Sequence, residues 1–305
     1  MPIPESQLVT WSRQGAIVTS KQTHEAIRSA LAAFKWPLGV KYEVNIQGSY
    51  KNDTNVFAES DVDVLIELTS AVHYGSTRLT EREQARFRLQ RQIPPRVSYG
   101  QFHGLVFEAL TNRFGASNVR ETPSGKAFKV ATPYRPADVV VCQTFREYLT
   151  YPVAGYGLPT SAKGVIFYAP ADQRWIVNYP HLHYMKGVAK NERTGGRFKR
   201  TVRLFKNLRH DLIDHGSISE DLATSYFIEC LLYNCSDPCF RVNLSETFGR
   251  LVMDMVQAYL SGKSIAFRCL NEQLPLFGNS PEQWSLDNAI SFWTALVRHW
   301  ESWSE

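Results

Sequence analysis

Apolar and polar positions alternate through Val40-Lys41-Tyr42-Glu43-Val44-Asn45-Ile46 and again through Asp61-Val62-Asp63-Val64-Leu65-Ile66-Glu67-Leu68. Side chains of a strand point to alternate faces, so both stretches read as strands. In the second, Val62, Val64 and Ile66 share one face, and Asp61, Asp63 and Glu67 share the other. A Gly48-Ser49 turn ends the first strand, and a short polar stretch over residues 52–60 crosses back to the second. Ala137-Asp138-Val139-Val140-Val141-Cys142 is a nearly unbroken apolar run, the pattern of a buried strand, with one carboxylate at its start. Residues 118–121 and 126–131 flank a Pro123-Ser124-Gly125 turn as a hairpin would. Residues 164–168 and 174–179 read as two strands around Pro170-Ala171-Asp172.

Helical spacing appears at residues 19–35, where Ile27, Leu31 and Phe34 share a face, and at 98–114, which ends at Gly115. A charged helix over 80–92 begins at Thr80 with Glu83 at the capping-box position. Residues 70–80, with Gly75, read as a loop, and residues 143–162 as mixed and rich in Gly and Pro. Beyond residue 180 the strand signal fades. Helices are expected over 181–190, 197–210, 219–234, 244–260 and 284–302. In 197–210, Val202, Phe205 and Leu208 face inward, and Lys199, Arg200, Arg203, Lys206 and Arg209 cover the rest. The chain is therefore expected to be α+β. A mixed sheet with helices occupies residues 1–179, including the N-terminal helix, and a helical lobe occupies 180–305.

Composition narrows this picture. The 305 residues are 44% hydrophobic and 21% charged, enough for a proper core, and no stretch nears the ~18 apolar residues of a membrane span. Met1-Pro2-Ile3-Pro4-Glu5-Ser6 has neither a basic nor an apolar leader region, which predicts no secretory signal and a cytoplasmic protein. Five cysteines lack paired spacing, and Cys235-x-x-x-Cys239 has no second half, so free thiols are expected rather than a zinc site. A net charge of +5 suits polyanionic substrates such as nucleotides but does not establish nucleic-acid binding. Arg193, Arg197, Lys199, Arg200 and Arg203 come without an aromatic stacking platform and read as solvating a helix near a phosphate site. His181 and His183 read as helix-start residues rather than metal ligands.

The candidate chemistry lies in the acids. Asp61 and Asp63, two residues apart on one strand face, lie close enough to share divalent cations. The Gly48-Ser49 turn offers small residues and backbone N–H groups that can approach phosphate. A bare pair of this kind is more often the solvated face of an edge strand; the turn in front and the buried-strand character behind favour the site. Asp138, alone in an apolar run, needs a partner or a metal. With it, the three acids make a site for two Mg²⁺ (or Mn²⁺) ions roughly 3.5–4 Å apart. Asp61 and Asp63 would bridge the ions and hold a donor triphosphate. Asp138 would bind the ion that activates the attacking hydroxyl, and would orient that hydroxyl or accept its proton. Glu67 shares the face two pleats away and reads as structural.

Gly48-Ser49-Tyr50-Lys51-Asn52 with Asp61-Val62-Asp63-Val64 and Asp138-Val139-Val140 resembles the polymerase-β-like nucleotidyltransferases. Within them the chain looks like the bacterial cGAS/DncV-like branch (CD-NTases, SMODS type, most like CdnE enzymes). The likeness continues into Phe198-Lys199-Arg200-Thr201-Val202-Arg203-Leu204-Phe205-Lys206-Asn207-Leu208 and Ser225-Tyr226-Phe227-Ile228-Glu229. It implies a polymerase-β-like core whose active site lies in a cleft closed by the helical lobe. It also implies that Lys206 contacts the donor triphosphate, Ser225 binds phosphate and Tyr226 stacks on a base. The implied activity is condensation of two or three NTPs into a cyclic di- or trinucleotide second messenger with release of pyrophosphate. The implied setting is anti-phage (CBASS) signalling beside a downstream effector that binds the product. The Cys/His zinc insert of the metazoan DNA sensor is not seen, so nucleic-acid activation is not supported. Asn178 falls where relatives read the base, and an asparagine there favours uracil; a structural Asn before Tyr179-Pro180 is an equal reading. Gln47 either contacts nucleotide or supports the turn. Competing readings are a nucleotidyltransferase acting on RNA or protein, and an inactive nucleotide-binding module.

Overall fold

A computed structural model describes residues 2–15, 17–57, 61–89, 94–152 and 157–303. By its contacts the chain forms two compact units: Met1–Ala16 with Lys51–Glu59 and Leu182–Glu305, and Ile17–Tyr50 with Ser60–His181. The expected boundary lay after residue 179. Here the division falls after His181, and two N-terminal segments group with the helical unit.

The second unit is built on one sheet. Its described strands are β1 (Tyr42–Ile46), β2 (Val62–Gly75), β3 (Val119–Glu121), β4 (Phe128–Val130), β5 (Ala137–Thr150), β6 (Thr160–Ala169) and β7 (Arg174–Asn178). The order runs β1-β2-β5-β4-β3, with β6 on the second half of β5 and β7 on β6. Among the described strand pairs of this sheet, β2–β5 alone is parallel. Parallel neighbours need a long crossover. Here it carries α4 (Glu81–Arg88), α5 (Tyr99–Phe114) and the β3–β4 hairpin.

Val62, Val64, Ile66 and Leu68 are fully buried with Ile27 and Leu31 of α2 (Val18–Ala32) and with Phe102, Val106 and Leu110 of α5. The opposite face carries Leu65 against Cys142 and Val165. Glu67 lies on that second face, takes a hydrogen bond from Thr144 Oγ1 and pairs with Lys163, in keeping with a structural residue. Thr80 and Glu83 form the expected capping box at α4.

Two expectations fail here. Residues 70–75 are strand, not loop, and β5 runs on to Thr150. A register shift between Leu68 and Val72 breaks the period of 2, which hid the continuation of β2. Gly75, read as a loop residue, is a close-approach residue: a Cβ there would meet Glu147 Oε2 at 2.0 Å.

The first unit is helical: α1 (Glu5–Trp11), α6 (Pro180–Arg193), α7 (Arg197–Asp214), α8 (Ser225–Tyr233), α9 (Leu244–Leu260) and α10 (Leu286–Ser302). Leu8, Phe198, Val202, Phe205, Phe227, Ile228, Leu231, Phe248, Leu251, Phe292 and Leu296 form its core. The sequence pattern missed α1, which is one of the segments that join this unit. The Glu5 carboxylate caps α9, accepting from Leu244 N at 2.8 Å and Ser245 N at 2.9 Å. The helix expected over 219–234 begins at Ser225, because Thr224 caps it by accepting from Phe227 N.

Candidate active site

Strand β1 ends at Ile46, and Gln47 N–H then donates to the Asp63 carbonyl at 2.9 Å. Gly48 follows with φ +63° and opens the short helix α3 (Gly48–Asn52). That backbone conformation favours glycine, and the space demands it as well. A Cβ on Gly48 would lie 2.0 Å from Asp63 Oδ2. The turn is therefore shaped around the carboxylate, with Ser49 the next residue of α3. The Tyr50 hydroxyl accepts from Arg135 Nη1 at 2.9 Å, and Arg135 Nε reaches Thr19 Oγ1 at 2.8 Å, tying the turn to α2.

Strand register assembles the acids. Asp63 and Asp138 are Cα partners across the parallel β2–β5 pair, so their side chains emerge side by side on one face. Asp61 immediately precedes β2. Across the antiparallel β4–β5 pair, Asp138 is the partner of Lys129. Lys129 Nζ lies 2.9 Å from Asp61 Oδ2 and 3.4 Å from Asp138 Oδ1. The hydrogen bond to Asp61 raises the Lys129 pKa; burial opposes this, and the Asp138 charge adds to the rise. Asp138 Oδ1 itself is buried and accepts no hydrogen bond.

Lys129 was not among the sequence candidates. Its signal was indirect: the apolar run around Asp138 required a partner for the acid, and the alternation Phe128-Lys129-Val130 put one cation on a neighbouring strand.

The donor set suits a hard divalent cation, since all three acids offer oxygen. The ammonium seated against Asp61 and Asp138 is in keeping with a spot that calls for positive charge. As they stand, however, the described residues include no group of three or more His, Cys, Asp or Glu gathered closely enough to hold a metal. The carboxylates would draw together on an ion rather than form a ready cage.

The other candidates are placed as follows. Asn178 closes β7, and its Oδ1 accepts from Tyr179 N at 2.8 Å, so its side-chain oxygen supports the entry to α6. Ser225 is the first residue of α8. Lys206 and Tyr226 are not surface groups. The Lys206 side chain is 1% exposed and pairs with Glu229 Oε1 at 2.9 Å. The Tyr226 ring stacks on His183 and on Trp284, and its hydroxyl accepts from Asn271 Nδ2. A signal for Lys206 was available. It stands four residues after Val202, on the buried face of α7. His183 Nε2 lies 3.0 Å from Glu229 Oε2, and the five cysteines are free.

A sheet of this order, with a glycine turn moulded to one of two register-paired aspartates and a third just ahead of the strand, defines a nucleotidyltransferase core joined to a helical domain. A family model described as the cGAS/DncV-like nucleotidyltransferase C-terminal helical domain matches residues 185–301. The chain is 45% identical over 305 residues to the cyclic UMP-AMP synthase of Rhodothermus marinus, covering 100% of both proteins. It also matches two solved structures. The Rhodothermus marinus CdnE c-UMP-AMP synthase with Apcpp and Upnpp matches with TM-score 0.87 and 44% identity, over 100% of this chain and 98% of that one. The Elizabethkingia meningoseptica CdnE cyclic dinucleotide synthase with GTP and Apcpp matches with TM-score 0.75 and 26% identity, over 97% of this chain and 98% of that one. The chain belongs to the cGAS/DncV-like nucleotidyltransferases, as a cyclic nucleotide synthase of the CdnE kind. Among the described residues no helix is long and apolar enough to cross a membrane.

Proposed function

We propose that this enzyme joins a uridine and an adenosine nucleotide into cyclic UMP-AMP. One observation carries the base assignment: 45% identity, end to end, to a cyclic UMP-AMP synthase. The fold alone does not choose the bases, because two of its structural matches carry different nucleotide pairs, Apcpp with Upnpp in one and GTP with Apcpp in the other. The expected pyrimidine preference agrees with this reading, with Asn178 as its candidate reader through the amide group.

In the proposed mechanism Asp61, Asp63 and Asp138 would hold two Mg²⁺ or Mn²⁺ ions. Bound there, such ions neutralise triphosphate charge and lower the pKa of an attacking hydroxyl. The Gln47-Gly48-Ser49 turn admits the phosphates to backbone N–H groups, because Gly48 leaves no side chain in the way. Asp138 orients the ribose hydroxyl of the acceptor and takes its proton. The hydroxyl oxygen forms a bond to the α-phosphorus of the donor while the bond to the β-phosphate oxygen breaks, and pyrophosphate leaves. A second such transfer closes the ring. Ser225 is proposed to hold phosphate and Tyr226 to stack on a base. A triphosphate contact by Lys206 would be made at the expense of its pair with Glu229. The product would be read by a downstream effector in anti-phage signalling in the cytoplasm.

The test is mass spectrometry of the phosphatase-resistant products formed from all four NTPs with Mg²⁺ or Mn²⁺. A cyclic UMP-AMP mass supports the assignment. A different cyclic dinucleotide overturns the base choice, and label appearing only in RNA or protein overturns cyclisation.

A further inference from the structure

The residues that join the Gly-Ser turn to the acids look in sequence like a plain polar crossing. In the structure Thr54, Asn55 and Val56 are 2%, 0% and 1% exposed. A buried loop needs partners for its polar groups. Asp53 adopts φ +56°, a left-handed conformation that is uncommon outside glycine and that Asp tolerates better than most residues. Its partners belong to the helical unit. Lys199 Nζ pairs with the Asp53 carboxylate at 2.8 Å, and Arg203 Nη1 donates to its carbonyl at 2.6 Å. Gly15 N donates to the Asn55 carbonyl at 3.0 Å.

One carboxylate gathers most of the rest. Glu229 is 4% exposed. It accepts from Thr54 Oγ1 at 2.5 Å and Asn52 Nδ2 at 3.4 Å, both from the crossing. It meets Lys206 Nζ at 2.9 Å and His183 Nε2 at 3.0 Å, from α7 and α6. The Lys206 ammonium opposes the Glu229 charge, and other lone pairs of that carboxylate are spent on the crossing. For stability alone, an apolar contact would serve as well as a buried ion pair. What this carboxylate adds is a defined position for residues 52 and 54.

We propose that Glu229 is a positioning residue for nucleotidyl transfer, acting through Thr54 to fix residues 52–56, which follow the Gly48-Ser49 turn in the chain. The proposal rests on that turn and the Asp61/Asp63 pair forming the catalytic site. Thr54→Val removes one hydroxyl at nearly constant shape and leaves the Lys206–Glu229 pair in place. Its kcat for cyclic nucleotide synthesis is expected to fall about 10- to 100-fold, the scale of a small displacement of reacting groups, with KM for the NTPs within about twofold. Thr54→Ser should restore kcat to within about threefold, because the donated hydrogen bond returns. Combining Thr54→Val with Glu229→Gln should cost less than the product of the two single effects, since both act on one contact. Wild-type kcat in a folded Thr54→Val enzyme overturns the proposal, as does a Thr54→Ser that folds yet fails to rescue. If the wild-type protein makes no cyclic product, the catalytic reading itself fails, and the two failures are thereby distinguished.

Discussion

Lys129 Nζ sits 2.9 Å from Asp61 Oδ2 and 3.4 Å from Asp138 Oδ1, so a protein cation stands against two of the three acids expected to bind metal. All three side chains are about a third or more exposed, and solvent screens the pairs. Lys129→Met removes a competitor for the carboxylates. The Mg²⁺ concentration for half-maximal synthesis is expected to fall about threefold or more, as competition for a shared site requires. In EDTA the variant should melt about 1–3 °C lower, because the acids lose their counter-charge, and Mg²⁺ should restore it. Metal titration of activity and a thermal scan check both.

Asp61→Asn combined with Asp63→Asn, or Asp138→Asn alone, should reduce cyclic nucleotide synthesis about a thousandfold or more, the worth of several kcal/mol of charge stabilisation. The circular dichroism spectrum should be unchanged. Retained synthesis in a folded variant would refute the metal assignment.

Gly48→Ala places a Cβ against Asp63 Oδ2 in a backbone conformation of φ +63°. The left-handed conformation alone costs about 1–2 kcal/mol for a residue with a Cβ. The displaced carboxylate should lower kcat about a hundredfold. Urea unfolding measures the first effect and steady-state kinetics the second.

Burial pushes the Glu229 carboxyl up, but the Lys206 ammonium, His183 and Thr54 more than reverse it, and the pKa lies well below the usual carboxylate range. A depressed carboxylate pKa means that the unfolded chain takes up its proton first as pH falls. The stability this group contributes is therefore complete above the unfolded value of about 4.3 and is lost progressively below it. Glu229→Gln should flatten the acid limb of the stability curve below that pH. Lys206→Met, which strands the carboxylate, should cost about 3–5 kcal/mol at neutral pH, and adding Glu229→Gln should recover part of it. Urea titrations across pH measure each of these.

The local motifs were legible because their periods are short. Alternation over 61–68 predicted the face carrying Asp61 and Asp63, and the Thr80/Glu83 pair predicted a capping box that the structure contains. Continuations were not legible where a shift reset the period, as between Leu68 and Val72. Gly75 looked like a loop residue because a glycine required by a distant carboxylate carries the same letter as one required by its own φ angle.

By itself the sequence determined most of the elements, the family and the chemical nature of the acids, since each depends on residues near one another in the chain. Tertiary structure alone decided their partners. Strand register set Asp138 beside Asp63 and Lys129 against Asp138. Packing buried Lys206 and the polar residues 54 and 55, which the helical and loop patterns had left at the surface. A buried charge or hydroxyl is stable only opposite its complement. The complement of Lys206, Glu229, lies 23 residues further along the chain, and that of Thr54 is the same carboxylate, 175 residues away.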